Sequence, residues 1–444
     1  MLEALYIIIA LGVTILVHEL GHFLTAKALK MRVEAFSIGF GPEIAKWKRG
    51  ETEYRIGWLI FLGGYVKLSG EDPDKVDVND KGAFLNQHPF KKILLAVSGV
   101  VQNFIFAFVL VWIVFMAGTE TLKPVVGDVK QGYPAYEAGL KKGDEITGIN
   151  GKSIKYWNEL TDIIAKEGKT EIVFAVKRNG APLTIKVLPK LEETEDILKD
   201  KKIKPIVGIS PLAFLTEIDG LEKDFPAFSS GLKAGDIITE VNGKKTEFWD
   251  QVTGEIEKSK KEVTVKIRRG AGEKIFTMKT AEKEYYNPET KQKEKTTVVG
   301  IRPKSNSSVE RYGFFKAAGK AAGQTKEFTV LTVKSIYKMI LRKIQPDVAG
   351  PLGVIQISYE VAKTGLVNLL FLFALININL ALVNLLPILP LDGGLAFMFI
   401  IEWVTRRKVP LKVQEALMQF GWMLMITMLI FFTYKDILRF IRGG

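Results

Sequence analysis

The hydrophobic residues of this chain are concentrated in four runs that contain almost no charged side chain. The runs cover about residues 4–25, 93–118, 365–391 and 416–434. Each is close to the length of about 20 residues that a helix needs to cross a bilayer. Buried helices of a soluble protein are the alternative, but such helices normally keep a polar face. The pattern therefore predicts an α-helical polytopic membrane protein with four transmembrane helices.

The charged segment between the second and third runs repeats itself. Each recurring motif is separated from its copy by the same offset as Pro134 and Pro226 (226 − 134 = 92 residues). The matched motifs are Gly139-Leu140 with Gly231-Leu232, Gly143-Asp144 with Gly235-Asp236, Asn150-Gly151 with Asn242-Gly243, and Trp157 with Trp249. Such self-similarity indicates two copies of one folding unit. Alternating apolar positions predict strands in each copy, at 119–195 and 205–304, with a charged linker near residues 192–204.

Two further segments have periodicities of their own. Residues 33–68 alternate and turn like a β-hairpin, which predicts a membrane-associated β-loop, a small cytoplasmic β-cap being the other interpretation. An edge strand at Gly63, Gly64 and Tyr65 could pair with an extended peptide. Within residues 305–364, apolar positions recur at helical spacing beside basic ones. This predicts amphipathic connecting helices that lie on the membrane surface or pack against another helix.

Composition narrows the possible chemistry. The chain has 62 Lys and Arg against 49 Asp and Glu, a net charge of +13. With four spans, this basic balance makes membrane lipid the expected partner rather than nucleic acid. The absence of cysteine excludes a disulfide scaffold, a thiolate metal site and a cysteine nucleophile. Imidazole chemistry must use His18, His22 or His88, since the chain has 3 histidines.

An ionisable cluster lies inside the first apolar run. His18 and His22 are four residues apart, so on a helix they share one face and both can bind one ion. Glu19 lies beside them as a candidate general base. An ionised carboxylate inside a membrane costs about 3 kcal/mol or more unless something compensates, and a divalent metal would do so. A polar helix-packing cluster is the alternative.

A catalytic zinc site needs a third protein ligand. His88 is one candidate, although it lies in a polar loop; Asp392 is the better one, because it closes the third apolar run. Spans one and three run in the same direction, so His18, His22 and Asp392 all reach the same side of the bilayer. Pro387 breaks the helix and allows the chain to turn inward, although an ordinary helix-stop turn at Asp392 is also compatible.

The distribution of basic residues near the span ends predicts the orientation. They are more numerous after spans one and three, which places these loops in the cytoplasm and the long insert outside it. Absence of a transit peptide fits a bacterial inner membrane.

Several motifs together resemble known families. Both copies carry the pattern Ala-Gly-Leu-x-x-Gly-Asp-x-Ile, which resembles the PDZ family. The pair of His18-Glu19-x-x-His22 and Leu391-Asp392-Gly393 around two PDZ copies resembles the site-2 protease family, in its bacterial regulator-of-sigma sub-group. The resemblance covers nearly the whole chain. Its second span departs from the family pattern, because Gly99-Val100 stands where Gly-Pro is usual.

The resemblance implies a catalytic core built from residues 1–118 and 365–444. It implies that His18, His22 and Asp392 bind Zn²⁺, that Glu19 is the base and that Asn384 contacts substrate. The expected activity is intramembrane cleavage of a single-pass membrane protein that was first trimmed outside the membrane, such as an anti-sigma factor or a signal-peptide remnant. The PDZ pair is expected to exclude bulky substrates and to offer a site for peptide termini, β-rich spacers without a ligand being the alternative.

Two rival functions are compatible with parts of this pattern. A PDZ scaffold or chaperone with a structural metal site has no need of Glu19. A metal transporter would need further acidic or histidine residues along spans two to four, which the apolar runs do not supply.

Overall fold

The structure is a computed structural model that describes residues 2–71, 76–77, 79–287, 292–344 and 348–442. Positions 288–291 of the predicted second PDZ domain and 345–347 of the predicted connecting region lie outside the described residues. The chain divides into two compact units. The membrane core comprises Met1–Thr119 and Arg311–Gly444, and the insert comprises Glu120–Glu310.

The described helices are α1 (Leu2–Ala28), α2 (Pro89–Ala117), α3 (Pro134–Glu137), α4 (Trp157–Glu167), α5 (Pro226–Ser229), α6 (Trp249–Glu257), α7 (Phe314–Ile340), α8 (Pro351–Lys363), α9 (Leu366–Asn384), α10 (Asp392–Thr405) and α11 (Leu411–Arg442). The described strands are β1 (Val33–Arg49), β2 (Thr52–Leu68), β3 (Thr119–Leu122), β4 (Val126–Val129), β5 (Glu145–Ile149), β6 (Lys152–Ser153), β7 (Ile172–Arg178), β8 (Ala181–Val187), β9 (Lys190–Glu195), β10 (Lys201–Ile206), β11 (Ile209–Pro211), β12 (Phe214–Leu221), β13 (Ile237–Val241), β14 (Lys244–Lys245), β15 (Glu262–Arg269), β16 (Gly272–Lys279), β17 (Ala281–Asn287), β18 (Gln292–Val298), β19 (Ile301–Ser305) and β20 (Ser307–Glu310).

The described residues contain four helices that are long and apolar enough to cross a membrane, which confirms the predicted class. Their apolar stretches are Ile7–Ala28, Pro89–Ala117, Leu366–Asn384 and Leu411–Ile441. The third helix ends seven residues before the predicted limit of 391 (391 − 384 = 7). Two prolines in residues 385–391 prevent the helix from continuing, so this stretch turns and a new helix, α10, begins at Asp392.

Helices α1, α2 and α9 form the centre of the membrane core. Side chains of α2 and α9 build one apolar cluster, which includes Val111, Phe373 and Ile378. A polar link crosses this region, because the Asn377 amide on α9 donates to the Thr14 hydroxyl on α1 at 3.1 Å. Such a bond is retained inside a membrane core because neither group has water as an alternative partner.

Strands β1 and β2 form one curled antiparallel sheet rather than a simple hairpin. The start of β1, at residues 35–38, pairs with residues 64–67 and also with residues 53–56. Residues 64–67 therefore pair on one side only, within a sheet that consists of β1 and β2. The backbone of this last segment is an edge, as the sequence predicts.

The insert contains two folding units in the places predicted for the repeat, each with its own apolar core. The first is built on the sheet β6-β5-β7-β8 and the second on β16-β15-β13-β12-β19. Val207 packs in the first core and β11 pairs with β4, so this unit extends beyond the predicted limit of 195. The predicted linker instead forms the antiparallel pair β9 and β10.

The connecting region forms α7 and α8, and α7 packs against the transmembrane helices. Ala317 and Ala321 on α7 are buried, and Phe328 contacts Phe371 of α9 with ring centroids 5.3 Å apart. Small residues allow this close helix contact within the membrane core. Of the two predicted arrangements, helix packing is the one that these contacts support.

Candidate metal centre

The first transmembrane helix presents both imidazoles on one face. His18 and His22 are one helical turn apart on α1, and their ring centroids are separated by 4.9 Å. His18 is 7% exposed, so it lies in the interior of the membrane core. Their Nε2 atoms approach within 3.3 Å of each other.

Asp392 reaches this pair because the chain folds back sharply after α9. It is the first residue of α10, and the two glycines that follow it pack against the preceding turn. A Cβ on Gly393 would lie 2.2 Å from the Leu385 carbonyl oxygen, and a Cβ on Gly394 would lie 2.4 Å from the backbone of Ile388. Only glycine fits at these positions, which explains in steric terms why the aspartate is followed by two glycines.

Three ligand atoms converge on one point. Asp392 Oδ2 lies 2.9 Å from His18 Nε2 and 3.4 Å from His22 Nε2. Zinc–nitrogen and zinc–oxygen bonds of about 2.0–2.1 Å in a tetrahedron place ligand atoms about 3.3 Å apart. The separations around this triangle bracket that value. Among the described residues, these three form the group of His, Asp and Glu side chains that could hold a metal ion.

The chemistry of the donor set also fits a divalent metal. Asp392 Oδ2 is buried and accepts no hydrogen bond within the described part of the chain, despite the two nitrogens beside it. Leaving such an oxygen without a partner is unfavourable. A cation between the three atoms would satisfy the carboxylate and use both nitrogen lone pairs. Two imidazoles and a carboxylate are a common ligand set for catalytic zinc.

The second transmembrane helix, α2, determines which ring nitrogen of His22 carries the proton. Its Nδ1 lies 2.9 Å from the Leu95 carbonyl oxygen, which can only accept, so Nδ1 carries the proton. The Ser98 hydroxyl, 3.3 Å from the same nitrogen, donates to that carbonyl as well. The lone pair of His22 is therefore on Nε2, the atom that faces Asp392. Metal-binding histidines usually have such a backbone or carboxylate partner.

Asn103 is the corresponding neighbour of His18. It is 0% exposed, and the amide nitrogen Nδ2 of its side chain faces His18 Nδ1 at 3.2 Å. Its Oδ1 has no hydrogen-bond partner within the described residues. A lone pair on His18 Nε2 requires a proton on Nδ1, and this proton needs an acceptor. Turning the amide so that Oδ1 faces Nδ1 satisfies the ring and the buried oxygen together.

Two glycines allow α1 and α2 to approach at the site. A Cβ on Gly99 would lie 2.6 Å from His18 Cε1 and from His22 Nε2. A Cβ on Gly21 would lie 2.5 Å from the Ser98 carbonyl oxygen. Helix α2, whose Gly99-Val100 departs from the family pattern, thus lies directly behind both imidazoles. Sequence reasoning missed Leu95 and Ser98, since a carbonyl and a helical serine carry no distinctive pattern.

Glu19 is placed between the metal centre and the β-sheet. Its carboxyl interacts electrostatically with His22, His18 and Asp392, and with the backbone amide of Val66 on β2. The edge segment of β2 therefore lies next to the candidate base.

The remaining predicted residues lie in different surroundings. His88 is exposed at the N-cap of α2, where its Nδ1 accepts from the backbone N–H of Phe90 at 3.2 Å. It is absent from the group of converging ligands found in the described residues. Gly63, Gly64 and Tyr65 lie at the end of β2 with the free edge. Asn384 is the last residue of α9, is half-buried, and its side chain makes no hydrogen bond within the described chain.

The chain is similar to known proteins over almost its whole length. Residues 6–428 match the family described as "Peptidase family M50". A "Regulator of sigma-E protease RseP" from Escherichia coli K12 is 31% identical over 97% of both chains. A Vibrio cholerae protein named "Putative zinc metalloprotease" is 31% identical over 97% of both chains. A solved PDZ domain of an SdrC-like protein from Listeria monocytogenes is 24% identical, covers 20% of this chain and 85% of its own, and has a TM-score of 0.17.

Proposed function

This chain belongs to peptidase family M50, the site-2 protease family of membrane metalloproteases, and we propose that it cleaves a peptide bond inside the transmembrane segment of another membrane protein. The observation that carries the proposal is the convergence of His18, His22 and Asp392 beside Glu19, at the level of the first transmembrane helix. A hydrolytic centre at that position meets peptide bonds that no soluble protease reaches.

We propose that the three converging residues bind zinc and that Glu19 is the general base. When bound, zinc supplies a Lewis acid that activates water and polarises the scissile carbonyl. Glu19 then takes the proton of the attacking water and delivers it to the leaving amine. Its position beside all three ligands supports this role.

The free edge of β2 is the proposed substrate platform. A peptide bond in a transmembrane helix is shielded by the helix itself, so the substrate must unwind before cleavage. Pairing with the edge at Gly63, Gly64 and Tyr65 would replace the hydrogen bonds that the helix loses. Because Val66 lies next to Glu19, a peptide at this edge would pass the base. Asn384, with its unused amide, is a further proposed hydrogen-bond donor to the substrate.

An apolar cavity beside the sheet supports entry from the membrane. It has a volume of about 350 Å³ and lies between α1 and the sheet, with Val13, Ile38, Trp58 and Ile60 among its lining residues. Trp58 is 70% exposed in the structure. This surface would accept the apolar side chains of an incoming transmembrane helix.

We propose that the PDZ pair selects substrates by size. The first PDZ domain has a cavity of about 750 Å³ between α4 and residues 207–210, large enough for a peptide terminus. The corresponding cavity of the second, between α6 and residues 298–301, is about 150 Å³. A folded extracytoplasmic domain fits neither, whereas a trimmed end would fit the first.

The name of the Escherichia coli relative supports a substrate class for this chain. We propose anti-sigma factors and signal-peptide remnants in a bacterial inner membrane, with the metal centre towards the cytoplasm and the PDZ domains outside.

The proposal is tested with a single-pass model substrate and the purified chain in detergent. Glu19→Gln should keep its zinc and lose at least about 100-fold in cleavage rate, because the base is removed and the ligands are not. A chelator should abolish cleavage by the parent protein. Glu360→Gln, an exposed change on α8, is the matched control. Full zinc occupancy without any cleavage by the parent protein would favour a PDZ scaffold instead.

The size filter is tested separately with the same substrate carrying a folded domain at its outer end. We expect cleavage only after that domain is removed. Equal rates for both forms would contradict the filter without affecting the proposed chemistry.

A further inference from the structure

A polar cavity that the proposed function does not use lies in the membrane core, where α2 begins and α10 ends. Its volume is about 800 Å³, and its walls come from residues 85–89 with Lys92 and from residues 402–404 and 406–408. It is separate in sequence from His18, His22 and Asp392, and none of these lines it.

The lining of this cavity is strongly cationic. Four basic side chains line it against a single carboxylate, Glu402, which leaves a net charge of +3. The basic residues are Lys92, Arg406, Arg407 and Lys408. Glu402 is itself engaged, since it accepts the backbone N–H of Val409 at 3.1 Å. The N-terminus of α2 also opens here and adds the positive end of a long helix dipole.

Lys92 is the decisive residue, because it is buried and forms no ion pair within the described residues, although Glu402 interacts with its charge from a longer distance. Its side chain is 3% exposed, yet it lines the cavity. Its Nζ lies 5.5 Å from the ring centre of Phe84 and 5.3 Å from that of Phe399. Among the described residues it forms no hydrogen bond or ion pair. The two rings compensate part of the desolvation of the ammonium, and an anion in the cavity would supply the rest.

An exposed aromatic and apolar patch adjoins the cavity, because the lining residue Trp403 contacts Phe90. Phe90 and Trp403 are 46% and 49% exposed, and their ring centroids are 5.7 Å apart. Val404 beside them is 75% exposed. Exposed aromatic residues at the end of a transmembrane helix are typical of the headgroup level of a bilayer. A ligand here meets a cationic cavity and an apolar rim together.

We propose that this cavity binds the phosphate headgroup of an anionic phospholipid, whose acyl chains lie along Phe90 and Trp403. Basic cavities between transmembrane helices are suited to such headgroups. The bound lipid would tie the start of α2 to the end of α10. Helix α2 supports both imidazoles and α10 begins with Asp392, so the lipid would hold together two walls of the metal centre.

The test uses the full-length protein in neutral detergent and counts bound lipid by native mass spectrometry. Phosphatidylglycerol should bind more tightly than zwitterionic phosphatidylcholine. Arg407→Gln with Lys408→Gln changes two exposed residues of the cavity and should weaken phosphatidylglycerol binding about 25-fold, about fivefold for each basic side chain. Lys343→Gln with Lys412→Gln removes the same charge at exposed positions outside the cavity and should leave binding unchanged.

Lys92→Met tests the buried ammonium directly and should weaken binding with little change in side-chain volume. If this variant does not fold, the exposed pair decides the question alone. Equal affinity for the two lipids, or equal weakening by the cavity and control pairs, would overturn the proposal. Full competition by inorganic phosphate at the same affinity as the lipid would show a free-phosphate site and would overturn it as well.

Discussion

Replacing Gly99 by alanine adds one carbon atom directly behind the metal centre. The new Cβ would lie 2.6 Å from His18 Cε1 and from His22 Nε2, whereas ordinary contacts begin at 3.4 Å. The rings or α2 must therefore move by at least 0.4 Å (3.0 − 2.6) to relieve the clash, and by 0.8 Å (3.4 − 2.6) to restore ordinary contact. Alanine is favoured over glycine within a helix, so helix propensity does not oppose the change.

A displacement of this size exceeds what a metal site tolerates. Ligand distances must hold within about 0.2 Å, and disturbing the groups that support a ligand typically lowers metal affinity about 10- to 100-fold. If α2 moves instead of the rings, the bond between His22 and the Leu95 carbonyl is lost, with the same consequence. We therefore expect Gly99→Ala to lower zinc affinity by at least about tenfold.

Zinc affinity is measured by competition with a chromophoric chelator, with thermal unfolding as the check on folding. Gly319→Ala is the matched control, because Gly319 lies in α7 with no atom within 4 Å of a new Cβ. The control should keep its affinity. Zinc affinity within twofold of the parent protein for Gly99→Ala, in a folded sample, would refute the reasoning.

Three further predictions concern the ligands, their support and the insert. Asn103→Leu should lower zinc affinity about 10- to 100-fold, because it leaves His18 Nδ1 without a partner. Asn368→Leu, a change at an exposed position, should leave zinc affinity unchanged. Equal zinc affinities of the two variants would contradict the role of Asn103. Asp392→Asn should lose zinc and His88→Ala should retain it, as measured by the metal content of the purified proteins. The opposite result would make His88, and not Asp392, the third ligand. Burial raises the pKa of Asp236, but the hydrogen bonds from Arg269, the backbone N–H of Lys233 and the charge of Arg269 together outweigh burial and lower that pKa. The carboxylate therefore stabilises the fold above about pH 4, and this contribution disappears as the pH falls through the lower folded pKa. The difference in unfolding temperature between the parent protein and Asp236→Asn should therefore narrow below pH 4, and a constant difference would exclude this ion pair as its source.

Local spacing made the two ends of the candidate site predictable. His18 and His22 share a face because residues four apart on a helix do so. Asp392 was a candidate because it closes the third apolar run, and the parity of the membrane crossings places it on the same side of the bilayer as the histidines. The supporting groups were not predictable in the same way. Asn103 lies 85 residues from His18 along the chain, and only the packing of α1 against α2 brings them together.

The limits of the fold prediction have a similar cause. The repeat indicated two folding units in the insert, but β11 joins β4 across about 80 residues, so the first unit extends past the point where the periodicity ended. The sequence also did not predict the two equivalent ion pairs, Arg178–Asp144 and Arg269–Asp236, although the repeat contains both aspartates. Their arginines occupy strand positions where a basic residue looks like an ordinary exposed one.

The central claim is that two imidazoles and one carboxylate of this chain hold a single zinc ion within the membrane core. X-ray absorption at the zinc edge of the purified protein measures this arrangement directly. The account predicts one zinc per chain, with two imidazole nitrogens and oxygen ligands at about 2.0–2.1 Å, and loss of this signal in His22→Ala. A zinc spectrum with no imidazole contribution, or one unchanged by His22→Ala, would contradict it.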